Sequence, residues 1–462
     1  MRAWRRRLLS ALIAGAVVAV VAAVVVYVGA QVTYNRYNAI VSHDSSSVDA
    51  AMDARADLLD SAAANAAALV AQTQQGRAQA LSSASASWSK FKNDFRRSWQ
   101  NLSDRTNGEL AAFQAADAAE TDYDQAIGAM NAALAANPPN TDAARTAFLQ
   151  ANTVLEQRLL PALSSGLEGV KVADMGSDYA STSSTIEGWL YGVLAVSVIL
   201  LAVLGAGYFL TLRMHHLLTL ELIIALVLVI AVGAWVGLQL RRADTQSKVM
   251  VSEAYNSVAG VRDEIALVSQ QHERESIALF DSANAATHFA AFDDFTLEVE
   301  QGLCGYAGCT AQPFTSLGAQ DTIAAPVVAA GLNGETEFGL ARPPLVSNAT
   351  FSGEAVALET ARQQYRGFLN ADQAVRQQVQ AGNLPAAATQ SAGAVAGSYQ
   401  ATVAALARAG DAARSVYDSS WRSVESAMTI ARVLAVGEVV AGLLLARGLW
   451  RRRAELFPVR GE

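Results

Sequence analysis

Four apolar runs punctuate the chain: Leu8–Val32, Gly188–Leu212, Leu217–Leu240 and Met428–Leu449. As helices, each is long enough to cross the ~30 Å hydrocarbon core of a bilayer, which takes about 20 residues. The intervening stretches, 33–187 and 241–427, alternate polar and apolar positions with a helical period. In the first, Trp88, Phe91, Phe95, Trp99 and Leu102 recur at threes and fours, as do Tyr123, Ile127, Met130 and Leu134. In the second, Val258, Val261, Ile265 and Val268 do the same. Such stripes bury one face of a helix against its neighbours.

Breakers at Gly76, at Thr106-Asn107-Gly108 and at Asn137-Pro138-Pro139-Asn140 divide the first polar stretch into four helical pieces, with Thr141 expected as an N-cap. The first piece continues out of one apolar run and the last enters the next, so an antiparallel four-helix bundle is predicted. The alanine-rich Ser61–Ala71 segment predicts close packing over a thin core, which dimerisation would help. The second stretch repeats the theme, interrupted at about 302–348 by a segment with Cys304, Cys309, four prolines and many glycines. That composition predicts irregular loop.

The order span, long domain, span occurs twice, and short echoes keep their order. Arg5-Arg6-Arg7 before Leu8-Leu9-Ser10 corresponds to His215-His216 before Leu217-Leu218-Thr219. Val193-Leu194-Ala195-Val196 recurs as Val433-Leu434-Ala435-Val436, and Asp124-Gln125-Ala126-Ile127 as Asp372-Gln373-Ala374-Val375. The offset grows from 209 (Leu8 to Leu217) to 248 (Asp124 to Asp372), placing roughly 30 to 40 extra residues in the second copy before Asp372. The predicted fold is therefore an all-α membrane protein: four transmembrane helices and two extracytoplasmic antiparallel helical bundles related by internal duplication.

Arginines set the direction. Arg2, Arg5, Arg6 and Arg7, then Arg213, then Arg451, Arg452, Arg453 and Arg460 fall on one side, which the positive-inside rule makes the cytoplasm; Arg241 and Arg242 argue the other way and are outnumbered. The first run is too long for a secretory leader and lacks a small-x-small cleavage site, so an uncleaved anchor is expected. Only the lead 1–7, the turn 213–216 and the tail 450–462 then lie inside, too little to fold a catalytic domain.

Composition closes off other classes. The chain of 462 residues is 52% hydrophobic and 16% charged, with net charge -8 and four lysines. It offers no basic face for nucleic acid. No nucleophile elbow, phosphate-cradling glycine loop or H-E-x-x-H occurs, and the five histidines lack ligand spacing, so neither enzyme activity, a metal nor a cofactor is expected. Cys304 and Cys309 are the only cysteines and fall on the oxidising side, which predicts a small disulfide loop; a metal or redox role would need ligands the neighbourhood lacks. Glu438 lies about ten residues into the last span, roughly 15 Å deep. It reads as a buried switch or proton site, or, the plainer reading, as a protonated or helix-paired structural carboxyl. Arg213, His215, His216, Arg451, Arg452 and Arg453 are the candidate cytoplasmic contacts.

An anchor, a helical outer domain and a return span resemble the four-helix-bundle sensory modules of bacterial chemoreceptors and histidine kinases. Two such modules with no output domain are similar to the GlnX-type membrane proteins of high-GC Gram-positive bacteria. That resemblance implies a relay of amino-acid status from an extracytoplasmic glutamate-binding lipoprotein to a cytoplasmic serine/threonine kinase, through a multi-pass cell-membrane protein with both termini inside. A non-enzymatic relay, in contact with membrane lipid and forming a homo-oligomer, is the expected function. An envelope scaffold is the alternative, and a small transporter or channel subunit a further one.

Overall fold

The computed structural model describes residues 2–100, 107–213, 220–304, 345, 351 and 353–451; along much of 2–19, 190–229 and 438–451 the backbone alone is described. Among the described residues the chain is helical and no strand occurs. The helices are α1 (Arg2–Ala39), α2 (Ser45–Val70), α3 (Gln74–Gln100), α4 (Asn107–Ala135), α5 (Thr141–Val154), α6 (Gly169–Arg213), α7 (Leu220–Lys248), α8 (Asn256–Phe280), α9 (Ala285–Cys304), α10 (Glu354–Gln380), α11 (Leu384–Gln390) and α12 (Ala396–Arg451). Short π-helical segments lie at Ile40–Asp44, Leu155–Leu159, Ala162–Glu168, Val249–Tyr255 and Ser391–Val395.

The element order repeats. A π segment leads into α2 and, 209 positions later (40 to 249), another leads into α8; α3 is followed at 211 (74 to 285) by α9. The capping asparagines Asn140 and Asn383 are 243 apart. Each closes the start of a helix with its own side chain: Asn140 Oδ1 accepts from the Ala143 amide at 3.0 Å, and Asn383 Oδ1 from the Ala386 amide at 3.3 Å. Thr141, expected as the cap, is instead the first helical residue. The break expected at Gly76 falls earlier, at Ala71–Thr73, because the Thr73 hydroxyl accepts from the Gly76 amide at 3.0 Å and Gly76 already belongs to α3. Gly382, at φ 73°, ends α10 in the left-handed conformation that glycine tolerates best.

The chain forms two compact units. The larger contains residues 42–176 and 251–417 together. The two helical sets expected from the sequence thus share one core. Its centre is the pair α2 and α8, and 18 of the 26 residues of α2 are buried. The thin alanine face of α2 is covered within the chain, with Ala266 of α8 packed among Ala51, Ala54, Leu58 and Ala62. On the outer flank of the first set, the rings of Trp88, Phe91, Phe95, Phe113 and Trp99 form a ladder with neighbouring centroids 4.2 to 5.6 Å apart. In the second set Phe292 and Phe368 stack at 5.7 Å.

The smaller unit holds residues 1–41, 177–250 and 418–462. Trp189 lies against Gly29, where any Cβ would meet the indole at 2.6 Å. Arg432 donates to Gln31 Oε1 at 2.9 Å and lies over the Tyr34 ring, which stacks on Trp421. Taken over the described residues alone, no helix is long and apolar enough to cross a membrane. The runs expected to span are helical in backbone, with side chains largely outside the described set. Where side chains are described there, large apolar groups face outward: Val17, Val21 and Val24 on α1, Val227 and Leu238 on α7, Val433 and Val436 on α12 are all more than half exposed.

Candidate functional site at the junction of the two helical sets

The site residues expected from the sequence are described as backbone only or lie outside the described residues. Cys304 ends α9, Arg213 ends α6, Arg451 ends α12 and Glu438 lies within α12, all as backbone only; Cys309, His215, His216, Arg452 and Arg453 lie outside the described residues, as does nearly all of the 302–348 insertion. His272 is buried with Nδ1 3.3 Å from Glu275 Oε2, and His288 Nε2 meets Asp281 Oδ2 at 3.1 Å in the α8–α9 turn.

The polar groups that the structure brings together lie along the α2–α8 seam. At one end Asp49 takes Arg262 Nη1 at 2.8 Å on one oxygen and Arg414 of α12 on the other. Asp53, one turn on, takes Arg262 Nε at 2.7 Å. The exchange is reciprocal: Arg55 of α2 pairs with Asp263 of α8, and its Nε lies 3.4 Å from the buried Glu168. Spacing of four puts Asp49 and Asp53 on one face of α2, which is what a single guanidinium needs to bridge them.

Further along, the Tyr399 hydroxyl donates to Asp60 Oδ1 at 2.7 Å, Ser87 bonds the other Asp60 oxygen, and Ser269 lies 2.9 Å from the same phenol. Tyr399 stacks on His272 with centroids 4.6 Å apart. Beside this chain of bonds Asp57 is pushed up to about 7 by burial, against the pull of Lys90.

A cleft of about 420 Å³ opens at the seam's other end. One wall comes from two π segments and the turn between them, with Glu156, Leu160, Pro161, Ser164 and Ser165; the other comes from α8 and α9, with Gln270, Glu273, Arg274 and Phe295. π-Helical turns inside α-helices are frequent at functional sites. Arg274 pairs with Glu156, which also accepts from Asn152 at 2.8 Å. Glu273 is 2% exposed, and its Oε1 has no hydrogen-bond partner. Burial drives its carboxyl up to about 8; Arg274 opposes that rise and Glu156 adds to it.

A second cleft, about 470 Å³, lies between α9 and α10 around Arg376. That guanidinium binds Asp372 at 2.6 Å and Asp293 at 2.8 Å and lies over Phe289 and Phe292, so its donors are engaged. Among the described residues no cluster of His, Cys, Asp and Glu could hold a metal ion. Ion pairs thus join the two helix sets across the seam, while the buried Glu273 carboxyl at the cleft has no counter-ion of its own.

The sequence signal for this seam is Asp49, Asp53, Asp57 and Asp60, spaced at threes and fours within an alanine-rich stretch. Compared with known proteins, the chain matches no family model, no curated protein and no solved structure.

Proposed function

We propose that the protein is a non-enzymatic transmembrane relay: a multi-pass membrane protein built by internal duplication, whose larger unit lies outside the cell and whose apolar helices pass a change of packing to the cytoplasmic face. The single observation that carries the coupling is the Asp49 carboxylate bridging Arg262 and Arg414, which ties together helices from both halves of the chain. The repeated order of elements supports duplication. The outward-facing valines and leucines of α1, α7 and α12, with Tyr27, Tyr191 and Trp235 exposed among them, support lipid as their surroundings, since water would penalise so much apolar surface.

The π segments supply the moving part. The chain leaves the smaller unit for the larger within Ile40–Asp44 and, in the second half, within Val249–Tyr255. A π turn holds more residues than an α turn, so converting one to α changes the phase of the attached helix by about 100° per residue. A ligand or partner protein that favours one form rotates the apolar helix that precedes it. An extracytoplasmic solute-binding lipoprotein and a cytoplasmic protein kinase are the partner classes proposed. Crosslinking in native membranes, followed by identification of captured proteins, tests this: partners on both faces are expected, with inner capture altered in Asp49→Asn. Capture on one face only would overturn the relay.

A further inference from the structure

The cleft at the seam's end contains a carboxyl group without a counter-ion, one of its oxygens buried beyond the reach of any donor. Glu273 sits on α8 with Oε1 buried and unpartnered, while the neighbouring guanidinium of Arg274 is turned to Glu156. The titratable groups that face Glu273 are Arg274 on its own helix, Glu156 on the π segment, and Tyr123 on α4, whose phenol is itself buried. None of them neutralises an ionised Glu273, because Arg274 is already committed to Glu156. An orphaned buried acceptor is costly unless something arrives to fill it.

The remaining lining says what fits. Phe295, Leu160 and Pro161 give an apolar wall with one aromatic ring, and the Gln270 side chain adds a neutral polar group. The hydroxyls of Ser164 and Ser165 are spent on the Leu160 and Pro161 carbonyls at 2.8 Å, which leaves their oxygens as acceptors. Acceptors and a carboxyl beside an aromatic ring suit an alkylammonium group better than an anion. We propose that this cleft binds a small primary-ammonium ligand, free amine or zwitterion, with the ammonium on Glu273 and the carbon chain against Phe295, Leu160 and Pro161. The entering cation ionises Glu273 and sends its proton to solvent. In a zwitterion the carboxylate would turn to Arg274, displacing Glu156. The assignment deepens the relay reading without depending on it: binding is measured on the purified protein and relaying through partners in membranes, so either can fail alone.

Calorimetry on the full-length protein in nanodiscs provides the test, with n-butylammonium, 4-aminobutyrate, 1-butanol and potassium chloride as probes. At pH 7, butylammonium should bind with release of about one proton, read from buffers of different ionisation enthalpy. Binding should weaken at pH 5.5, where protons compete, and Glu273→Gln should lower affinity at least about tenfold and abolish proton release. Tighter binding of 4-aminobutyrate would support the assignment and bring Arg274 in as the carboxylate partner. No saturable binding of either ammonium up to about 10 mM would overturn it. So would equal heats from 1-butanol or potassium, or binding to the wild type without proton release, a readout that stands even if the variant does not fold.

Discussion

The Tyr399 hydroxyl donates to Asp60 Oδ1 at 2.7 Å across 339 positions of sequence, joining α12 of the second helical set to α2 of the first. Tyr399 is buried and Asp60 half-buried, so the bond is a matter of satisfaction more than of net attraction. Tyr399→Phe removes the donor and leaves Asp60 Oδ1 short of a partner, while Ser269 keeps the Ile265 carbonyl. A loss of about 1–3 kcal/mol is expected, measured by chemical denaturation in detergent. A melting temperature unchanged by this substitution would show that the seam is wet at that point.

The bridging carboxylate should matter more. Asp49→Ala leaves Arg262 to Asp53 alone and removes the Arg414 link to α2, and losing such charged hydrogen bonds in a partly buried setting should cost about 1.5–3 kcal/mol. Asp53→Ala removes a more exposed partner of the same guanidinium and should cost less. A double-mutant cycle between Asp49 and Arg262 reads their coupling directly.

Acidity should stabilise the larger unit. Glu273 is raised to about 8, and Asp57 and Asp372 each to about 7, in every case chiefly by burial. Between the ordinary carboxylate range and these values the folded chain holds more protons than the unfolded one. Stability is therefore full at about pH 4 and falls as pH rises toward 8, by on the order of a few kcal/mol. Denaturation curves at pH 5 and pH 8 check this. Glu273→Gln should flatten the slope, and a rise in stability from pH 5 to 8 would contradict the burial argument.

The two asparagine caps are a matched pair of small effects. Asn140→Ala and Asn383→Ala should each cost about 0.5–2 kcal/mol, with Asn→Asp at either position nearly neutral. Circular dichroism melts of the single variants are sufficient to see it.

Much of the fold can be read from the residues because it is local. Asn137-Pro138-Pro139-Asn140 and Asn383-Leu384-Pro385 stop helices through chemistry contained within the turn, and the α10 turn at Gly382 does likewise. The position of the break near Gly76 was harder, since Thr73 decides it with one hydroxyl. The shared core is not local. It depends on which side of α2 meets α8, and a run such as Ala62-Ala63-Ala64-Asn65-Ala66 shows hardly any preferred face. The site was hidden for the same reason. Asp49 and Arg262 are 213 positions apart, and nothing near either announces the other.

The alanine-lined side of α2 has a consequence for ancestry. Cut away from α8, a lone half-chain would bare that side together with Asp49 and Asp53 stripped of their arginines, an unstable arrangement in any solvent. If the two halves descend from one gene, the single-copy forebear must have stood as a symmetric twin, its two α2 helices lying where α2 and α8 now lie. Fusion then let the halves diverge: a charge gained on one helix could be answered on the other, as Arg55 is by Asp263 and Asp49 by Arg262.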